Sequence, residues 1–415
     1  MQGESERLVP SQATTPAAVP EVDAATFQES FGESLLDTLN LDTWHSGEDL
    51  AGLYDRLAAE VDEAVKQERR VRGRIRDEVF PRLATRPNAP KGAGVYRVRV
   101  QDLEQVHRCL LFNGGVEACD GTQQVHDTLP LTIFQVGVAL VSYNGEQGSW
   151  MHRLFRRDLR MSGIDPTEEA LELLERREQR GGLNQESRKD ATSELARRGI
   201  MAYAERAILL GKSSARWRMG HGNPIPYELL TGSGSLDLMV EATKVLYRLL
   251  LDHQRFVFVP SEPSERLLLT IGQALDPLEF AIVDTMYERM RATIQHGHYR
   301  MKLSVDTGGL KPQKWVENFW NEVGPKVVIG VYRASRLAPP QVFYAHVEHA
   351  DAAALLAMAD SVLQDVRGFP VLIDLADAVC RSTFGMDALS GPLQVAYTDA
   401  NAALEFLSER TTRRQ

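Results

Sequence analysis

Hydrophobic residues change their spacing about 90 residues into the chain. From Phe27 to Leu83, leucines and valines recur at three- and four-residue intervals, which is typical of amphipathic helices. The segment Arg86–Gly94 then brings two prolines and two glycines together and interrupts this pattern. The pattern therefore predicts a helical extension over residues 26–90 and a separate domain over residues 91–415.

After this break, short runs of β-branched and aromatic residues alternate with helical segments. The run 131–143 is nearly all apolar, which predicts a strand covered on both faces. The other predicted strands are 95–100, 110–118, 226–231, 256–259, 327–332 and 341–347, and the predicted helices include 186–210, 235–251 and 351–366. Because strands alternate with helices, the pattern predicts an α/β domain with a sheet flanked by helices.

The N-terminal residues 1–25 are rich in Ser, Thr, Pro, Ala and Glu. Such a segment buries too little apolar surface to offset chain entropy, so we predict a disordered tail. It lacks the order of a signal peptide, and the chain has no apolar run of about 18 residues. We expect a cytoplasmic protein without a membrane span.

Charge and cysteine content exclude several classes of protein. The 415 residues include 47 Lys and Arg against 57 Asp and Glu, a net charge of -10. A histone-like coat on nucleic acid needs a basic surface and is excluded, although a local basic groove is not. Three scattered cysteines are too few for a disulfide framework or a cysteine zinc site. The acidic balance also leaves open a structural protein unrelated to nucleic acid.

Asp120 is the first candidate for chemistry. It ends a short predicted strand, is followed by Gly121, and precedes the long apolar run. An aspartate at this place in a sheet is where RNase H-like nucleases hold a divalent metal, because hard oxygen ligands suit Mg²⁺ or Mn²⁺. The alternative interpretation is that Asp-Gly forms a turn between two strands.

The segment around Asp120 resembles the metal-binding strand of the NurA nuclease family, and the order of later motifs extends the resemblance over residues 95–410. Those motifs are Glu117–Thr122, a helix with Arg198 and Glu205, Pro224–Ser233, Phe256–Ser261, and Gly368–Pro370 leading to Asp377. The resemblance implies an RNase H-like mixed sheet and a metal-dependent DNA nuclease that uses Mn²⁺ or Mg²⁺. It also implies a homodimer that works with a HerA-type hexameric ATPase in DNA end resection, a DNA repair step, or in phage defence.

The resemblance assigns candidate metal ligands residue by residue. Asp120 matches the first carboxylate of the family. Glu205 matches the carboxylate on the central helix, with Glu194 as a competing choice. Asp377 matches an acidic residue in a late helix, and Asp374 lies one helical turn before it. Acids at a helix start also suit the helix dipole, so a purely structural role for these two aspartates stays open.

One position departs from the family pattern. Thr231 stands where the family usually has a second aspartate, and a hydroxyl is a poor substitute for a carboxylate on Mg²⁺ or Mn²⁺. Glu228 is the nearest acid, although three residues along a regular strand would place it on the opposite face. We therefore predict Glu228 as a fourth ligand, or else a catalytically weakened, DNA-binding docking subunit of a HerA-type motor.

Arginines close to tryptophans are the candidate DNA contacts. Such mixtures can follow a DNA backbone and stack on bases, or they can form an amphipathic surface. The candidates are Arg153, Arg156, Arg157, Arg216, Trp217 and Arg218. No phosphate loop of the Gly-x-x-x-x-Gly-Lys-Ser/Thr type occurs in the sequence, so we expect the chain not to hydrolyse ATP.

Overall fold

The structure is a computed structural model that describes residues 24–44, 50–128, 131–157, 167, 171, 194–232, 235–262, 266–299 and 304–405. The chain divides into two compact units, residues 1–70 and 71–415. Most of the predicted tail, and the first part of the predicted helix 186–210, lie outside the described residues. No described helix combines the length and the apolar character needed to cross a membrane.

The described part of the first unit is helical. It contains α1 (Ala24–Phe31), α2 (Leu35–Leu39) and most of α3 (Leu50–Arg74). Ser34 caps α2, since its side-chain oxygen accepts a hydrogen bond of 3.0 Å from the backbone N–H of Asp37.

The second unit is an α/β domain with nine strands among its described residues. The strands are β1 (Gly94–Arg97), β2 (Val116–Asp127), β3 (Thr132–Ser142), β4 (Gly145–Arg156), β5 (Trp217–His221), β6 (Phe256–Val259), β7 (Glu279–Thr285), β8 (Val327–Arg333) and β9 (Gln341–His346). The helices are α4 (Phe80–Leu83), α5 (Val100–Val106), α6 (Glu194–Gly211), α7 (Tyr227–Leu230), α8 (Leu236–Tyr247), α9 (Arg266–Gln273), α10 (Tyr287–Gln295), α11 (Pro312–Val323), α12 (Ala350–Ser361), α13 (Val371–Phe384) and α14 (Met386–Asp399).

All nine strands form one mixed sheet in the order β1-β7-β8-β9-β6-β5-β2-β3-β4. Strands β2, β3 and β4 form an antiparallel meander, and β5 and β6 run parallel to β2. The remaining strands extend the sheet beyond β6 with antiparallel pairs. The half with β4-β3-β2-β5-β6 has the strand order and directions of an RNase H-like sheet, which confirms the predicted fold class.

Helices cover both faces of the sheet. One apolar core packs the sheet against α6, α8 and α11, and a second packs it against α5, α12 and α13. Strand β3 lies between them and is buried along almost its whole length, as its continuous apolar run predicts.

Three of the predicted strands are wrong in whole or in part. The predicted strand 95–100 is a strand only as far as Arg97, and Val100 already begins α5. The predicted strand 226–231 is the short helix α7: Pro226 lies at the N-cap position in an extended conformation, and the helix begins at Tyr227. The first residues of the predicted strand 110–118 belong to a π-helical turn, His107–Leu111, and β2 begins only at Val116. Strands β4 and β5 were not predicted, since polar residues interrupt their apolar pattern; β7 was also not predicted, although its residues 280–283 are continuously apolar.

Candidate functional site

Asp120 lies inside strand β2 and not in a turn, so the turn interpretation of Asp120-Gly121 is wrong. Strand β2 pairs with the parallel strand β5 only as far as Cys119, which lies opposite Gly220. From Asp120 onwards, that edge of β2 has no strand partner among the described residues. Asp120 is only 4% exposed, so its carboxylate lies buried at the point where the parallel pairing of β2 with β5 ends.

Glu205 reaches the same edge of β2 from helix α6. A Cβ atom added to Gly121 would lie 2.7 Å from Oε1 of Glu205, closer than real side-chain carbons approach. The thiol of Cys119 also contacts the backbone oxygen of Glu205 at 3.5 Å. The glycine after Asp120 is therefore required for the close approach of the α6 carboxylate, and not for a turn.

Arg206 restrains the carboxylate of Glu205. Its Nη1 forms an ion pair with Oε2 of Glu205, and its Nη2 donates to the backbone oxygen of Asn223 at 2.6 Å. Further hydrogen bonds go to the backbone oxygens of Ala202 and Pro224. The guanidinium is 3% exposed, so Arg206 is a buried positioning residue with no surface to offer a substrate.

His221 is a third member of the group and was not singled out from the sequence. Its Nδ1 lies 3.3 Å from Oδ1 of Asp120, and its Nε2 lies 3.0 Å from Oγ of Ser261. The signal that could have found it is the parallel register: Cys119 faces Gly220, so Asp120 and His221 follow side by side on adjacent strands. That register depends on a strand that the apolar pattern did not reveal.

Burial and neighbouring charges shift the pKa values of Glu205 and His221. Burial raises the pKa of Glu205 to about 7 despite the attraction of Arg206, and the negative charge of Asp120 acts in the same direction as burial. For His221, burial lowers the pKa, but the hydrogen bond and charge of Asp120 outweigh it, so the net pKa is raised. A cation placed here would relieve the repulsion between the two carboxylates.

Glu228 and Thr231 are not part of the group formed by Asp120, Glu205 and His221. Oε1 of Glu228 is 3.9 Å from Nη1 of Arg198, near the first turns of α6. Thr231 is fully buried after α7, where its hydroxyl donates to the backbone oxygen of Tyr227 at 3.1 Å. Glu194 also approaches Arg198, at 3.8 Å, so the structure places Glu205, and not Glu194, beside Asp120.

The late acids both form local ion pairs. Asp377 pairs with Arg381 on α13, and Asp374 pairs with Arg367 at 2.6 Å. One helical turn after Asp377, the thiol of Cys380 contacts the backbone oxygen of Gly137 at 3.3 Å, which docks α13 against β3. Asp377 makes no contact with Asp120 in the part of the chain that the structure describes, and its side chain is 28% exposed.

Some of the side chains predicted to contact DNA are buried and others are exposed to solvent. Trp217 and Arg218 are 6% and 9% exposed within β5, so neither side chain can stack on a base or follow a backbone in this conformation. Arg216 and Arg157 are exposed. On β4, Nε of Arg153 donates to Oε1 of Gln135 at 2.6 Å, which fixes it against β3.

The donor set fits a hard divalent cation. No three His, Cys, Asp or Glu side chains in the part of the chain that the structure describes come close enough together to hold an ion. Mg²⁺ and Mn²⁺, however, are often bound through one or two carboxylates, with water and substrate phosphates completing the shell. Asp120 and Glu205 supply two such carboxylates at one buried edge, with excess negative charge between them.

Comparisons with known proteins return nuclease structures at low similarity. No protein-family profile and no curated protein matches this sequence. A crystal structure of the NurA nuclease from Sulfolobus solfataricus is similar with a TM-score of 0.42 and 10% identity, over 84% of this chain and 98% of that one. Another NurA structure gives 0.38 and 10%, over 82% and 98%. Endonuclease V from Ciona intestinalis, in complex with inosine-containing DNA, gives 0.27 and 12%, over 68% and 94%.

Proposed function

We propose that the protein is a metal-dependent DNA nuclease whose active centre is formed by Asp120, Glu205 and His221. One observation carries the proposal: two carboxylates and an imidazole meet where the parallel pairing of β2 with β5 ends, at the carboxyl end of β5. Ligands in open α/β sheets bind outside this end of the strands. Asp120 and Glu205 would hold Mn²⁺ or Mg²⁺, and Asp377 on α13 is the further carboxylate that the family resemblance implies.

Arg206, His221 and Ser261 have separate roles beside the bound ion. A bound ion supplies charge neutralisation on the phosphodiester and activation of a water molecule. Arg206 fixes one oxygen of Glu205 and leaves Oε1 directed at β2. The hydrogen bond and the charge of Asp120 raise the pKa of His221, which favours the protonated imidazole, and its Nε2 would donate a proton to the leaving oxygen. Ser261 holds that nitrogen at 3.0 Å until a substrate oxygen replaces it.

The test is a cleavage assay on labelled DNA with Mn²⁺ or Mg²⁺ and the full-length chain. Asp120→Asn keeps the shape of the side chain but removes its charge, and cleavage should fall at least about 100-fold. Asp127→Asn is the matched control, because it makes the same change at the far end of the same strand. Loss of cleavage in both variants, or in neither, would exclude Asp120 as an active-site residue.

A second candidate function is a docking subunit with weakened catalysis. It is favoured by the ion pair that already occupies one oxygen of Glu205. Under this alternative, the wild-type protein would cleave DNA no better with Mn²⁺ than Asp120→Asn does. It would still bind its motor.

We propose the same partners that the family resemblance implies: a second copy of the chain and a HerA-type hexameric ATPase, in DNA end resection or phage defence in the cytoplasm. The sequence supports the motor, because it contains no phosphate loop with which to power translocation. Light scattering of the purified chain tests the homodimer. Co-purification with the HerA-type ATPase of the same genome tests the motor.

A further inference from the structure

Helix α3 is uncovered along most of its length. Every residue from 54 to 71 is exposed to solvent, so no face of this stretch is buried against another described element. Helices in proteins gain most of their stability from packing an apolar face, and an isolated helix in water is marginal. We therefore expect α3 to pack against a partner.

One face of α3 carries an apolar stripe, which consists of Tyr54, Leu57, Val61 and Val65. Steps of three and four residues place these side chains in one line along the helix. The four residues are between 37% and 64% exposed. A line of this spacing is typical of the seam between two packed helices, so the stripe fits a second helix as its partner.

The charges of α3 are divided between its two halves. Residues 50–63 contain four acids and one base, whereas residues 64–74 contain five bases and one acid. Two copies of this helix side by side in the same direction would place acid against acid and base against base. In opposite directions, the acidic half of each copy lies along the basic half of the other. Charges beside such a seam select the partner and its orientation, and these select an antiparallel copy of α3 itself.

One flank of the stripe has this pattern in its simplest form. Asp55 and Asp62 lie on it, seven residues apart, and each follows a residue of the stripe by one position. Lys66 and Arg69 continue the same flank, since they follow Asp62 by four and seven residues. The helix dipole favours acids in the first turn and bases in the last. It does not account for Asp62 and Lys66, which lie in the middle of this 25-residue helix.

We propose that the apolar stripe of α3 binds α3 of a second copy of the chain, as an antiparallel pair of helices. Such a pair has two-fold symmetry, so the same surface of both copies is used and each copy contributes both halves of the charge pattern. The inference names the surface of the homodimer proposed above. It rests on that proposed dimer and not on the nuclease chemistry.

The experiment reverses the two ends of the flank separately. Light scattering of the full-length chain over a range of concentrations measures the dimer dissociation constant, and circular dichroism checks that each variant is folded. Asp55→Lys/Asp62→Lys makes the flank basic throughout, and Lys66→Glu/Arg69→Glu makes it acidic throughout. Leu57→Gln/Val61→Gln interrupts the stripe itself.

Glu63→Lys/Arg70→Glu is the matched control on the same helix. These two side chains pair with each other at 3.4 Å, and the exchange keeps that pair. Glu63 follows Val61 by two residues, which places it on the opposite side of the helix, and Arg70 follows Glu63 by seven. The control should stay within about threefold of wild type, because it changes charges that do not face the second copy.

Each flank variant alone should raise the dissociation constant at least about tenfold, because like charges then face each other. Leu57→Gln/Val61→Gln should weaken the dimer at least as much, since it removes apolar surface from the seam. An equimolar mixture of the two flank variants should return to within about threefold of wild type, because a basic flank then meets an acidic one. Recovery in the mixture cannot come from the helix dipole, which acts within one helix.

A dimer that persists in both flank variants, or a mixture that does not recover, would overturn the proposal and leave the homodimer with another interface. A loss in the control as large as in the flank variants would overturn it as well. A monomeric wild type would overturn both this inference and the homodimer. None of these results bears on the nuclease function, which the cleavage assay of Asp120→Asn tests separately.

Discussion

Oε1 of Glu205 lies 2.7 Å from the place that a Cβ atom would occupy on Gly121, so the α6 carboxylate fills the space that a side chain on β2 would need. Asp120 immediately precedes this glycine. The Asp-Gly pair thus places two carboxylates together. Asp120 carries the first on the strand, and Gly121 has no side chain, which leaves room for the carboxylate of Glu205.

Gly121→Ala should displace Glu205. A methyl group at this place forces the carboxylate or helix α6 to move, which should cost about 1–3 kcal/mol of unfolding free energy. It should also lower the affinity for Mn²⁺ measured by calorimetry. Gly211→Ala is the control, because an added Cβ there meets nothing within 4 Å. Indistinguishable results for the two alanines would mean that Glu205 is not held against Gly121.

Arg206→Met should be one of the most destabilising substitutions in the domain. It removes the partner of a buried carboxylate and leaves several backbone oxygens without their donor, at a cost of about 3–5 kcal/mol in urea unfolding. Arg198→Met on the same helix should cost about 1 kcal/mol or less, since Arg198 is 49% exposed.

The coupling between Arg206 and Glu205 can be measured by a double-mutant cycle. In a Glu205→Gln background the buried charge is gone, so Arg206→Met should cost about 1–3 kcal/mol less than it does in the wild type. Strict additivity would show that the ion pair does not hold the carboxylate.

The sequence predicted the sheet where strands are wholly apolar. Strand β3 and the pair β8 and β9 have continuous hydrophobic runs and were predicted within a residue or two. Strand β5 was missed because Arg218 and His221 interrupt it, although burial in the middle of the sheet overrides their polarity. Local pattern detects strands that bury apolar side chains and misses those that carry the polar groups of a site.

The prediction of the site residues had the same limit, because it depended on which strands the sequence pattern revealed. Asp120 and Glu205 were found by the family resemblance, and the structure brings them together. His221 was missed because its neighbour in space is 101 residues away in the sequence, through the register of β2 with β5. Glu228 was chosen on the assumption of a strand at 226–231, and the structure forms the short helix α7 there instead.

A second buried carboxylate, Asp360 on α12, predicts a pH dependence of stability. Asp360 is fully buried, accepts a hydrogen bond from the backbone N–H of Leu372 at 2.8 Å and contacts the hydroxyl of Tyr143. Burial raises its pKa from 3.8 to about 6. The folded protein then binds this proton more tightly than the unfolded chain, so stability falls as the pH rises from about 4 to about 6.

Asp360→Asn should remove that dependence. Relative to wild type, the unfolding free energy of the variant should increase between pH 4 and pH 7, by on the order of 3 kcal/mol at most. Asp237→Asn is the control with the opposite sign: hydrogen bonds from the backbone of Ser304 and Val305 lower the pKa of Asp237. Its variant should lose stability relative to wild type as the pH rises. A flat difference for Asp360→Asn would contradict the argument.

Thr231 and Glu228 decide whether a further ligand exists on α7. Oε1 of Glu228 lies 3.9 Å from Arg198, so Glu228→Gln should leave Mn²⁺ affinity and cleavage within about twofold of wild type. Thr231 is fully buried, so Thr231→Asp should bury a carboxylate without building a metal ligand, at a cost of about 2–5 kcal/mol in urea unfolding. Asp120→Asn, measured beside them by calorimetry with Mn²⁺, should lose binding. If Glu228→Gln lost binding as fully as Asp120→Asn, the carboxylate of Glu228 would have to leave Arg198 to complete the site. If Thr231→Asp instead bound Mn²⁺ more tightly and cut DNA faster than wild type, the natural site would be one carboxylate short, and the docking-subunit function would be the better explanation.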